Sequence, residues 1–149
     1  MAYAQEDVYV RVAKVTGQDV TQTRNQIRHL VHKGIVPITD KRGSGRGTRR
    51  SYDLLSVCVA AALLRLQSIG RSGEALAGDA KLMTKVISNY LKEGDSAPAY
   101  FVGLRDGAKH FVRSYTAPEP TVDLLKDLPG EAAWIVDIGG IIRLAREFE

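Results

Sequence analysis

A single cysteine, Cys58, stands in 149 residues, so no internal disulfide can form. That scarcity fits a reducing cytoplasm. No apolar run is long enough to span a bilayer, and the first residues lack the apolar core of a secretory signal. The chain has no HExxH, no CxxC, no phosphate-loop lysine motif and no nucleophile elbow. An enzyme is therefore not expected, and no catalytic residue, cofactor or metal ligand is assigned. Internal repeats are also missing. With 44% hydrophobic residues the composition is that of an ordinary folded domain, and the length suits one domain or two small ones.

Acidic residues are missing from one stretch altogether. Lys41 to Arg50 reads KRGSGRGTRR, with five cations, three glycines and no acid. Like charges this dense repel one another unless an anion lies close. The net charge of +4 conceals an asymmetry: residues 1–70 carry eleven Lys and Arg against five Asp and Glu, and residues 71–149 carry ten against twelve. The cationic excess at one end is an electrostatic footprint for a polyanion. It is not accompanied by the aromatic-rich apolar face of a membrane-surface helix, so no membrane partner is expected.

The stretch Thr21 to Tyr52 organises the rest. Thr23-Arg24-Asn25-Gln26 fits a capping box, with Thr23 as N-cap, and Gly34 fits the C′ position that ends a helix. Between them Ile27, Leu30 and Val31 share an apolar face by the i, i+3, i+4 rule. Arg24, Arg28 and His32 line another face, flanked by Asn25 and His29. Arg pairs with guanine edges and Asn with adenine edges, so these types suit base contact in a major groove. The same pattern also fits an ordinary amphipathic helix with a solvated basic face. The glycine-rich segment that follows reads as the tip of a hairpin with arms Ile35–Ile38 and Arg50–Tyr52, or as a basic linker.

These residues carry a resemblance. YVRVAKVTG, Tyr9 to Gly17, resembles the first helix of MerR-family transcription regulators. Ile27-Arg28 with Gly34-Ile35-Val36-Pro37 resembles their recognition helix and its exit. Arg49-Arg50-Ser51-Tyr52-Asp53-Leu54 resembles the wing's end and the start of the third helix, and Leu63-Leu64 with Ile69-Gly70 resembles the end of that helix. The likeness spans residues 8–70, with the Gly17-to-Gly34 interval longer than usual by about one helical turn. The extra residues, Gln18 to Gln22, are expected in the turn. The family's long dimerisation helix and metal-sensing cysteines have no counterpart. The resemblance implies a winged helix-turn-helix over 1–70. It assigns DNA contact to Thr21, Gln22, Thr23, Arg24, Asn25, Arg28, His29 and His32 of the helix. In the wing it assigns Lys41, Arg42, Ser44, Arg46, Thr48, Arg49, Arg50 and Tyr52.

Elsewhere the pattern is plainer. Residues 1–7 are expected to fray and 8–16 to be helical. Asp53 is a natural N-cap for LLSVCVAAALLRLQSIG, apolar almost all round and so buried on several sides, Cys58 with it. Asp79 is expected to cap a helix to about Lys92. Its stripe Leu82, Met83, Val86, Ile87, Tyr90 and Leu91 packs either within one chain or as a dimer seam. Residues 71–94 thus form a linking or dimerisation segment. Residues 95–149 open on a linker-like EGDSAP and then read as a small β-β-α-β-α unit. Its hairpin arms are Tyr100–Leu104 and His110–Tyr115 around Asp106-Gly107. A short helix is expected near 121–128, a third strand over 133–138, and a last helix bearing Ile141, Leu144, Ala145 and Phe148. Tyr100, Phe101, Phe111, Tyr115 and Trp134 either form core or line a ligand pocket, and His110 reads as structural.

The expected fold class is therefore α+β, with a MerR-like winged helix-turn-helix followed by a helix and a small α/β unit. The expected function is a bacterial or phage-type regulator that binds double-stranded DNA. It acts as a cytoplasmic, nucleoid-associated homodimer, because one short helix reads too few base pairs alone. RNA polymerase or another protein is a candidate partner for the C-terminal half. The alternatives are an architectural phage-type DNA protein, of the excisionase or small terminase subunit kind, and an adaptor that the basic half merely localises on DNA.

Overall fold

The computed structural model describes residues 2–42, 49–93, 99–106, 109–116 and 131–148. Over them the chain is mixed α+β and mostly helical, with five helices and two small antiparallel sheets. Strand β1 (Tyr3–Ala4) leads straight into α1 (Gln5–Thr16). Gly17, in the left-handed region at φ 71°, ends α1 while the Gln18 N–H reaches back to the Ala13 carbonyl. Asp19 then caps α2 (Val20–His32), its carboxylate accepting from the backbone N–H groups of Thr21 (2.8 Å) and Gln22 (3.0 Å).

This corrects two expectations. The N-cap of α2 is Asp19 rather than Thr23, so the extra turn lengthens the helix instead of the loop. Thr23 lies inside the helix and is fully buried beside Ile27, Leu30 and Val31. The other end is as expected. Gly34, at φ 70°, closes α2 with the Ile35 N–H on the Leu30 carbonyl. Residues 3–7 are not frayed either: Tyr3 and Ala4 pair with Tyr52 and Ser51.

The first sheet has the order β1-β3-β2, with β2 at Asp40–Arg42 and β3 at Arg49–Tyr52. The arm before the glycine-rich tip is thus Asp40–Arg42 rather than Ile35–Ile38. Arg42 and Arg49 are its innermost paired residues. The tip itself, residues 43–48, lies outside the described residues.

Helix α3 (Leu54–Ser68) is the centre of the molecule. Asp53 and Ser56 form a reciprocal capping box, as the sequence predicts for Asp53. Every residue from Ser56 to Leu64 is buried, Cys58 included. Around it pack α1, α4 (Gly73–Glu93) and α5 (Ile138–Glu147). One hydrophobic cluster runs through all of them, from Tyr3 to Ala145. The predicted segments 1–70, 71–94 and 95–149 all contribute to it.

Helix α4 starts six residues before Asp79. That residue is interior to the helix, 5% exposed, and receives the Arg71 guanidinium at 2.9 Å (Nε) and 2.8 Å (Nη2). The second sheet has the order β5-β4-β6, with β4 at Ala99–Asp106, β5 at Lys109–Thr116 and β6 at Glu131–Asp137. The hairpin and the third strand stand where the sequence predicts them. The linker at 94–98, the turn at Gly107–Ala108 and the helix predicted near 121–128 fall outside the described residues.

Register decides one further point. Tyr100 pairs with Asp137 and Gly103 with Trp134, so Tyr100 and Trp134 point to opposite faces of the sheet. They do not line one aromatic pocket. Trp134 packs its indole over Gly103 and against the helical core.

Candidate nucleic-acid interface

The α1–α2 pair presents a divided surface. Ile27, Leu30 and Val31 face inward and are buried, while Thr21, Gln22, Asn25, Arg28, His29 and His32 are exposed. The division follows from the 3.6-residue period once the apolar stripe is pinned on the core. Arg24 is different. Its Nη2 pairs with the Glu6 carboxylate at 2.7 Å, and its guanidinium sits 5.8 Å from the centre of the Tyr9 ring. A residue expected to point at bases is thus held sideways, across the start of α1.

Tyr9 and Tyr52 tie the helices to the ribbon. Both are almost wholly buried. Burial pushes the Tyr9 phenol above its usual range; the Gln5 amide, which donates to it, and the nearby Arg28 and Arg24 pull the other way. Burial likewise raises Tyr52, helped by the neighbouring Tyr9 and opposed by Arg50. The cations of α2 and of β3 therefore converge on one tyrosine pair, with Glu6 as the carboxylate among them.

Of the residues expected to touch DNA, the exposed ones on α2 are brought together on one face. Lys41 and Arg42 lie on β2, and Arg49 and Arg50 on β3. Ser44, Arg46 and Thr48 fall outside the described residues. Two assignments are overturned. Thr23 and Tyr52 are both at 0% exposure, so neither reaches a ligand. Thr23 is lost because the helix starts a turn earlier, so Thr23 is helical and lies four residues before Ile27 on the inward face. Tyr52 is lost because β3 alternates and its aromatic ring fills the core beneath α1.

The stripe on α4 divides in the same way. Met83 and Ile87 are fully buried by their own chain, whereas Leu82, Val86, Tyr90 and Leu91 are partly buried at the margin of the core. Met83 and Ile87 are thus unavailable to a second copy, and Leu82, Val86, Tyr90 and Leu91 remain partly exposed.

The sequence reading missed several contacts that set the frame of this surface. Arg11 donates to the Phe148 carbonyl and stacks over the Tyr3 ring at 4.3 Å, and Lys14 lies 4.9 Å from the Phe148 ring. Two cations of α1 are thus committed to holding the last helix. Nothing local signals this, since the partners are more than a hundred residues apart.

Among the described residues no group of three or more His, Cys, Asp or Glu is placed to hold a metal ion. No helix among them is long and apolar enough to cross a membrane. No protein-family model matches the chain, and no curated protein matches it.

Proposed function

We propose that this chain is a sequence-specific double-stranded DNA-binding protein of the MerR-like winged helix-turn-helix kind, acting as a homodimeric transcription regulator. The observation that carries the reading is the exposed face of α2. Asn25, Arg28, His29 and His32 stand outward on a helix whose other face is locked into the core. They offer guanidinium, amide and imidazole groups, which suit base edges. A short antiparallel ribbon rich in Lys and Arg follows in the chain. Phosphates ask less of geometry than bases, so the ribbon's role is to grip the backbone and fix register. The cationic surplus of residues 1–70 supports the same division of labour.

The longer α2 changes one detail of the family pattern. Asp19 puts a carboxylate at the N-terminus of the helix, where an approaching phosphate would otherwise find free N–H groups. Phosphate contact at that end is disfavoured, and the reading face is centred on Arg28 instead.

Selection of binding sites from random double-stranded DNA tests this reading. A two-fold motif supports it. Enrichment for bendable or narrow-groove sequences without a motif favours an architectural DNA protein instead. No enrichment at all removes DNA binding as the function and leaves the adaptor.

A further inference from the structure

We propose that the groove between the exit of α2 and helix α4 binds a short acidic and apolar segment of another protein. The inference goes beyond the DNA reading and does not depend on it.

Two local choices make the groove. Gly34, at φ 70°, and the Ile35 N–H on the Leu30 carbonyl (3.0 Å) turn the chain out of α2, and Pro37 fixes the backbone that follows. On α4 the groove is lined by Ala77, Ala80, Lys81 and Thr84, which share one stripe by their i, i+3, i+4, i+7 spacing. Alanine at 77 and 80 leaves room that a larger side chain would fill. The result is an open cavity of ≈ 470 Å³ with Ile35, Pro37, Ala77 and Ala80 as its apolar lining. A helix on one side and a proline-fixed turn on the other need little ordering before a ligand binds.

The charges choose the occupant. Lys33 comes from the α2 side and Lys81 from α4, both exposed, and no acidic side chain lines the groove. Neither lysine makes an ion pair or a side-chain hydrogen bond among the described residues. Arg24, Arg65 and Arg71, by contrast, are held by Glu6, the Val15 carbonyl and Asp79. Lys85, one turn beyond Lys81, is exposed as well, and Glu74, about two turns before Lys81, does not line the groove. Uncompensated charge of one sign beside an apolar floor is complementary to carboxylates that flank apolar side chains. DNA phosphates would use the lysines but gain nothing from the floor. A second copy docked about a two-fold axis would set lysine against lysine, because such an interface presents the same patch twice.

Fluorescence anisotropy of a labelled synthetic peptide that alternates leucine and glutamate, titrated with the full chain without DNA, tests the proposal. The expected dissociation constant is about 1–100 μM, rising with salt. A peptide with serine in place of leucine should bind at least about tenfold more weakly, because the floor is then unfilled. Lys33→Glu with Lys81→Glu should weaken the leucine–glutamate peptide about tenfold or more and give binding to a leucine–lysine peptide instead. Ala77→Glu, which fills the floor, should weaken the leucine–glutamate peptide as well. Both lysines are exposed, so the double variant keeps its fold, and thermal melts verify this for each variant. A parent chain that binds no leucine–glutamate peptide overturns the proposal, as does binding indifferent to the lysine variant or to loss of leucine. Loss of DNA affinity in the lysine variant, with no peptide bound by the parent, gives the lysines to phosphate. A dimer that the lysine variant dissociates, again with no peptide bound, gives the groove to a second copy. The DNA reading stands or falls separately, on site selection alone.

Discussion

Replacing Asp79 with alanine tests how the C-terminal half is tied to α3. Asp79 is 5% exposed within α4 and takes two hydrogen bonds from Arg71, which follows the end of α3. Arg71 in turn lies 5.7 Å from the centre of the Trp134 ring on β6, so three elements meet at one guanidinium. Removing one partner of a fully buried pair costs about 3–5 kcal/mol, because the other charge is left without compensation. Here the Arg71 side chain retains 19% of its exposure, and water reaches it. Alanine also suits a helix interior better than aspartate by roughly 0.5 kcal/mol. The net expectation for Asp79→Ala is a loss of about 2–3 kcal/mol, or roughly 5–10 °C in Tm for a chain of this size. Urea unfolding of Asp79→Ala, Arg71→Met and the double variant measures it. The double variant should cost less than the sum of the singles by at least about 1 kcal/mol, since it leaves no stranded charge. Additive losses, or an Asp79→Ala cost below about 0.5 kcal/mol, would show that the pair is a surface contact and the reasoning wrong.

On the selected DNA site, Arg28→Ala should cost about 1–3 kcal/mol and relax preference at one position of each half-site, read by binding to a panel of single-base variants. Glu6→Gln releases Arg24 from an exposed ion pair worth about 0.2–1 kcal/mol, so DNA binding should tighten by up to about fivefold in titrations while stability drops by the same small amount. Gly103→Ala would drive a methyl group into the Trp134 indole, and a loss of about 1–3 kcal/mol should appear in the urea midpoint together with altered tryptophan fluorescence. Tyr9 and Tyr52 titrate above their unfolded value, so the neutral phenols favour the fold; stability should hold below about pH 10 and fall above it as the unfolded chain ionises first. The double variant Tyr9→Phe, Tyr52→Phe should flatten that fall in a pH series of unfolding curves.

Much of the local structure was legible in the residues themselves. The apolar face of α2, its end at Gly34, the cap at Asp53, the burial of α3 and the antiparallel pairing of Ala99–Asp106 with Lys109–Thr116 follow from short-range rules. Each depends on groups within a few residues of one another. The candidate reading face was legible for the same reason: Asn25, Arg28, His29 and His32 are outward because Ile27, Leu30 and Val31 are inward.

What the residues left open was every choice between two local solutions of similar energy. Asp19 and Thr23 are both good caps, and the packing of Thr23 against the core selects the earlier one. Asp79 reads as a cap until Arg71, on the far side of the turn, reaches it and lets the helix start at Gly73. Tyr52 reads as a wing residue until β1 pairs beside it and α1 covers its ring. The commitment of Arg11 and Lys14 to Phe148 joins the two ends of the chain. Capping and periodicity are enthalpies of neighbours, and a sequence states its neighbours. Burial is decided by surfaces that meet only after the chain has closed on itself, and that is why the tertiary structure alone assigned these side chains to core or to surface.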